Sequence, residues 1–238
     1  MDKIIFSAVG EQAIAVQFEQ KISEETNGRI RFLMEKLQNK KEIREMIPSF
    51  CSLLVFYDCQ KVNYERMKKI LAKETAGLLA PKAGPRKIHI IPACYGNDFG
   101  EDINYVAGHA GMTEEEVIRL HSSRDYLIYL LGFLPGFAYL GGLDERIFCP
   151  RLASPRVRIP AGSIGIGGEQ TGMYPLDSPG GWQLIGRTPL QLYDVHRNPP
   201  ILYEMGEYIR FQPITGEEYH EILDEVKQGS YKHRYIIE

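Results

Sequence analysis

The residues best suited to chemistry gather in one glycine-rich stretch, residues 132–187. It holds 12 of the chain's 23 glycines, six of its 14 prolines, the single tryptophan, five arginines and no lysine. Arg151 and Arg156 lie in a proline-punctuated segment, CPRLASPRVRIP, and Arg187 closes the stretch. Guanidinium is planar and always charged, so a stiffly held arginine suits a carboxylate or phosphate. Ser163, Gln170 and Thr188 offer hydroxyl and amide groups for an amide or a carbonyl. Phe133, Phe137, Tyr139, Tyr174 and Trp182 lie between the glycines and provide rigid apolar walls. His121, just upstream, is the histidine best placed for proton transfer. Each of these residues also has a plainer use: arginines in surface ion pairs, a histidine bonded to a carbonyl, a tryptophan as core.

Positioning such a set requires regular elements around it. Residues 3–18 read as a hairpin turning at Gly10 and Glu11. Ser23 caps a helix whose Ile30, Leu33, Met34 and Leu37 recur at helical spacing. Residues 42–58 read as two strands broken at Pro48, followed by a helix with Tyr64, Met67, Leu71 and Leu78 on one face. The order ββαββα predicts a small α+β domain. APKAGPRK, residues 80–87, reads as a linker, which predicts domains at 1–82 and 83–238. The second half opens on the strand KIHIIPACY, then a short helix near 102–109. Thr113 with Glu116 forms a capping box for another helix, and Thr215 with Glu218 forms a second one. Between them YLIYLLGF, WQLIGRT, LQLYDV and YIRFQPI read as short strands of a barrel or sandwich.

Composition narrows the classes. The chain has 238 residues, 28 basic and 31 acidic, for a net charge of −3. That balance gives no electrostatic case for nucleic acid. Apolar runs are too short for a membrane span, and the N-terminus lacks a signal-peptide pattern, which predicts a cytoplasmic protein. Four cysteines, Cys51, Cys59, Cys94 and Cys149, are scattered without metal-ligand spacing and read as buried thiols, with no metal site. No P-loop, nucleophile elbow or zinc-protease helix occurs, and GSIGIGG does not fit the dinucleotide fingerprint.

GFLPGFAYL, RIPAGSIGIGGEQTGMYP and SPGGWQLIGRTP, preceded by PACYGNDFGEDI and EEVIRLHSS, together resemble the KipI/PxpB family, also labelled allophanate hydrolase subunit 1. IPSFCSLLVFYD extends the resemblance into the first half. It implies a small N-terminal α+β domain followed by a C-terminal cyclophilin-like β-barrel. It implies a subunit of an ATP-dependent 5-oxoprolinase, opening 5-oxoproline to glutamate with PxpC/KipA-like and PxpA-like partners. It also implies an alternative, a KipI-type inhibitor that binds a sporulation sensor histidine kinase and blocks its autophosphorylation. The residues favour the first, because 5-oxoproline presents a carboxylate for an arginine and a lactam for an amide or hydroxyl. The expected site brings Arg151 or Arg156 to the carboxylate, Gln170 to the lactam, and His121 close by.

Overall fold

The computed structural model describes residues 4–79 and 84–238. The chain separates into two compact units, Met1–Gly84 and Pro85–Glu238. The expected boundary, between residues 82 and 83, lies outside the described residues.

In the first unit, β1 (Ile5–Val9) and β2 (Ala13–Gln17) form the hairpin, followed by α1 (Glu24–Leu37), β3 (Ile43–Pro48), β4 (Ser52–Tyr57) and α2 (Tyr64–Thr75). The four strands pair antiparallel in the order β1-β2-β4-β3. Period-two alternation buries Ile14, Val16, Leu53 and Val55 on one face. The helices meet the core with Ile30, Leu33, Leu37, Met67 and Leu71. The Ser23 side chain accepts from the Thr26 N–H, the predicted cap. Leu78 falls beyond the end of α2, where Ala76 is extended, yet it is still buried.

The second unit contains β5 (Lys87–Tyr95), α3 (Ile103–Ala110), α4 (Glu114–Ser122), β6 (Asp125–Leu131) and β7 (Ala138–Gly141). The chain continues through β8 (Arg156–Ile159), β9 (Ser163–Gly167), β10 (Gln170–Met173), β11 (Ser178–Gly180) and β12 (Gln183–Arg187). It finishes with β13 (Tyr208–Pro213), α5 (Gly216–Gln228) and β14 (Tyr235–Ile237). Seven strands run β12-β9-β10-β7-β6-β13-β5, and β5 pairs back onto β12 through Tyr95 and Cys94, so the barrel closes. The β5–β13 pair is parallel, and β14 lies along the start of β5. Strands β8 and β11 form a separate ribbon. Alternate residues such as Ile91, Ile128, Leu140, Ile164, Ile185 and Phe211 fill one core. Both predicted capping boxes are present, on α4 and α5.

Two local expectations fail. LQLYDV forms no strand; among the described residues its ladder pairing is one isolated bridge, Tyr193 to Ile201. Its backbone is claimed by Arg197, whose guanidinium donates to the carbonyls of Gln191, Leu192, Pro199 and Pro200 at 2.9–3.3 Å. The cysteines are not uniformly buried: Cys51, Cys94 and Cys149 are, but Cys59 is exposed in the turn after β4. Among the described residues no helix is long and apolar enough to cross a membrane.

Candidate functional site

The glycine-rich stretch builds an aromatic face on the side of the barrel wall opposite the core. Tyr139 stands between the core residues Ala138 and Leu140, and Gly165 between Ile164 and Ile166, so each points the other way. Trp182 packs on this glycine floor. A Cβ at Gly167 would fall 2.5 Å from the indole Nε1, and one at Gly172 would fall 3.0 Å from Cζ3. Only glycine lets the indole lie this close. Phe137 then meets Tyr174 at 5.1 Å and Trp182 at 5.5 Å, both edge to face, and Tyr139 at 4.8 Å. Burial pushes the Tyr174 phenol up to about 12.

Two features on this face remain open to a visitor. The Arg151 guanidinium lies 5.5 Å over the Trp182 ring, within cation–π range, and pairs with no acidic side chain among the described residues. Phe133 is 61% exposed and holds φ at 68°, a left-handed conformation that is costly for a bulky residue. Its ring edge meets Phe137 at 5.7 Å. The turn beneath it is fixed by hydrogen bonds from Leu134 N–H to the Gly132 carbonyl and from Gly132 N–H to the Phe137 carbonyl.

The other candidates separate. Arg156 is already paired: Nη2 donates to Asp102 at 2.7 Å and Nε meets Glu101 at 2.9 Å. The Asp102 carboxylate also accepts from Leu184 N–H at 2.6 Å, so Arg156 fastens the start of α3 to β12. Ser163 and Arg187 line a neighbouring cleft of about 300 Å³ with Asn97, Glu101 and Leu184. Arg187 donates from Nε to the Ala161 carbonyl, and the Thr188 hydroxyl accepts from Leu190 N–H. Gln170 begins β10, half-buried, with its backbone opposite Gly167.

His121 does not join the aromatic face. It is fully buried inside the barrel core, on the other side of β10 from Trp182. Thr171 Oγ1 donates to the Gly165 carbonyl, so it accepts from His121 Nε2–H at 2.8 Å, and Nδ1 accepts from the Tyr95 hydroxyl at 2.8 Å. Both nitrogens are therefore occupied in one neutral tautomer. Burial, with a smaller contribution from the Arg124 charge, lowers its pKa to about 3. The unfolded chain takes up this proton below its ordinary value of 6.5, while the folded one resists until about 3. Stability is thus expected to fall as pH drops through that interval, by roughly tenfold in the folding constant per unit for this one group. Urea unfolding at several pH values should show a shallower acid slope in His121→Asn; an unchanged slope would mean the ring does not titrate on unfolding.

Residues 4–203 match the family model described as carboxyltransferase domain, subdomain C and D. The chain is 40% identical over 229 residues to the B-type subunit of 5-oxoprolinase from Bacillus subtilis strain 168, covering 91% of this chain and 95% of the relative. The chain belongs to the PxpB family, the B-type subunits of 5-oxoprolinase. The Escherichia coli O157:H7 protein of the same name is 40% identical over 207 residues, covering 86% of this chain and 94% of its own length. Among solved structures, urea amidolyase of K. lactis superposes with a TM-score of 0.85 at 21% identity, covering all of this chain and 16% of that one, a likeness of fold.

Sequence reasoning missed a hydrogen-bonded group in the second unit, in which the buried His89 joins the partly buried Glu207 and His233. The available signal was a histidine at an alternating core position of KIHIIPACY.

Proposed function

We propose that this chain is a non-autonomous subunit of an ATP-dependent 5-oxoprolinase and contributes a substrate or partner surface through its aromatic face. The observation that carries this is the 40% identity to a named 5-oxoprolinase subunit along 95% of that relative. The geometry supports it in two ways. Arg151 is a held cation with no carboxylate partner among the described residues, suited to the 5-oxoproline carboxylate. The partly exposed Tyr139 ring, held by the buried Phe137 and Trp182, suits a small, largely apolar ring.

The helix starts of the second unit do not suit a nucleotide. Helices α4 and α5 have their first amides engaged by capping boxes and begin with acidic turns, and α3 starts at the carboxylate of Asp102. An anion is unfavourable at such ends. Gly165 and Gly167 of GSIGIGG pack against Trp182 and belong to β9, not to a loop feeding a helix. ATP is therefore assigned to a PxpC/KipA-like or PxpA-like partner, and no step on this chain runs through it.

The test is reconstitution. The purified chain with ATP and 5-oxoproline should release no glutamate, and adding both partner types should restore release. Glutamate release by the chain alone would overturn the proposal. The exposed, strained Phe133 also favours a second reading, in which this face docks on the helices of a sensor histidine kinase. In that case the chain should block autophosphorylation in a titration, and Phe133→Ser should relieve the block.

A further inference from the structure

The sheet of the second unit carries an open edge whose sequence reads as its own partner. β14 is the outermost strand, bonded to β5, and among the described residues no strand lies on its other side. Its three residues are apolar and exposed: Tyr235 by 55%, Ile236 by 37% and Ile237 by 58%. Arg234 and Glu238 flank them and are exposed too. Soluble proteins commonly blunt such an edge with a charge or a proline, because its free N–H and C=O groups recruit other chains. The three residues of β14 have neither.

The backbone shows which groups are free. Arg86 and Glu238 exchange N–H to carbonyl bonds at 2.8 and 3.0 Å, and Ile90 N–H donates to the Arg234 carbonyl at 3.0 Å. Residues 234, 236 and 238 therefore turn their backbone groups toward β5. Alternation directs the N–H and C=O of Tyr235 and Ile237 outward, where no partner meets them among the described residues.

A second β14 running antiparallel can meet this edge in few registers. With a two-fold axis at Ile236, Tyr235 faces Ile237 of the other copy, and Ile237 faces its Tyr235. Each pair exchanges two backbone bonds. On the opposite pleat Ile236 meets its own copy, and Arg234 meets Glu238 on both sides of the axis. Aromatic with β-branched pairs and oppositely charged pairs are favourable cross-strand combinations. An axis at Tyr235 would set Arg234 against Ile236 and Ile237 against His233. An axis at Ile237 would set Ile236 against Glu238. The Ile236 register alone matches charge with charge. Two of the side chains are already steadied: Lys87 Nζ lies 5.2 Å over the Tyr235 ring, and Arg210 reaches Glu238 at 3.3 Å. Less freedom is then lost on pairing.

We propose that β14 pairs with β14 of a second copy of this chain, antiparallel about a two-fold axis at Ile236, to form a concentration-dependent dimer. The interface is isologous, so it closes on itself. It does not depend on the oxoprolinase reading.

Sedimentation equilibrium of the full chain over a concentration series should show a reversible monomer–dimer equilibrium. Arg234→Glu sets like charges against each other on both sides of the axis and should raise the midpoint concentration about fivefold or more. Combining Arg234→Glu with Glu238→Arg restores opposite pairs and should bring the midpoint back toward wild type, a recovery that loss of folding cannot give. Cysteine pairing reads the register, with the exposed Cys59 replaced by serine. Ile236→Cys should give a disulfide-linked dimer on mild oxidation, because facing residues of a non-hydrogen-bonded pair have Cα atoms about 4.5 Å apart. Tyr235→Cys and Ile237→Cys should not, since each lies about 8 Å from its own copy, beyond disulfide reach. A chain that stays monomeric at millimolar concentration, a dimer unmoved by Arg234→Glu, or cross-linking through 235 or 237 in place of 236 would each overturn the proposal. So would amide exchange at Tyr235 and Ile237 that slows only when a PxpC/KipA-like partner is added.

Discussion

Trp182→Ala is expected to lower stability by about 3–5 kcal/mol, in the range of large-to-small changes at buried aromatic sites. For a domain of this size that corresponds to a fall of roughly 6–20 °C in Tm. The reason is specific to the packing. The indole is 4% exposed and touches Phe137, Tyr139 and Tyr174, while the glycine floor beneath it has no side chains that could move in to fill the space. Gly167→Ala approaches the same contact from the other side, placing a methyl 2.5 Å from the indole nitrogen, and overpacking of this kind costs about 1–3 kcal/mol. The two changes should not add. Once the indole is gone the methyl meets open space, so the double variant is expected to lose less than the sum of the singles. Chemical denaturation of the four proteins gives the coupling directly. Additive losses would mean that the indole and the glycine floor are energetically independent.

Much of the fold was legible because it is encoded locally. The capping boxes of α4 and α5 need only a threonine and a glutamate three residues apart, and both formed. KIHIIPACY became β5 with the bounds the sequence suggested, since seven consecutive buried residues have few alternatives. LQLYDV misled because its alternation of leucines is real; Leu190 and Leu192 are both buried. What removed the strand was Arg197, several residues away, taking the carbonyls that a neighbouring strand would need. The short β14 carries only exposed residues, so no hydrophobic pattern announces it.

The candidate site divides along the same line. Glycine interleaved with rings was readable as close packing, and Phe137, Tyr139, Tyr174 and Trp182 do assemble. The placement of His121 was not readable. It depends on which wall of the barrel α4 covers, and the ring turned inward to Thr171 and Tyr95. Nor could the sequence rank the arginines, because the acid that claims Arg156 lies 54 residues upstream.

That ranking makes Arg151 and Arg156 the sharpest test of the site. They sit five residues apart, carry the same charge and differ in what they touch. Arg156 is 23% exposed in its side chain and Asp102 is 12% exposed, so Arg156→Ala leaves a half-buried carboxylate short of a partner. That should cost about 1–3 kcal/mol of stability. Any loss of turnover in the variant should then track its lower melting temperature. Among the described residues Arg151 lies over the Trp182 ring and pairs with no carboxylate, so Arg151→Ala should melt close to wild type. If Arg151 grips the substrate carboxylate, its removal deletes a charge-assisted hydrogen bond of about 1.5–3 kcal/mol, roughly 10- to 150-fold in kcat/KM of the reconstituted complex. The loss should fall mainly on KM, because the carboxylate takes no part in the bond that breaks and is held equally in ground and transition states. Arg151→Lys should recover only part of it, since an ammonium cannot reproduce the bidentate fork. Normal turnover in Arg151→Ala would remove Arg151 from the site and leave the aromatic face as a docking surface for a partner.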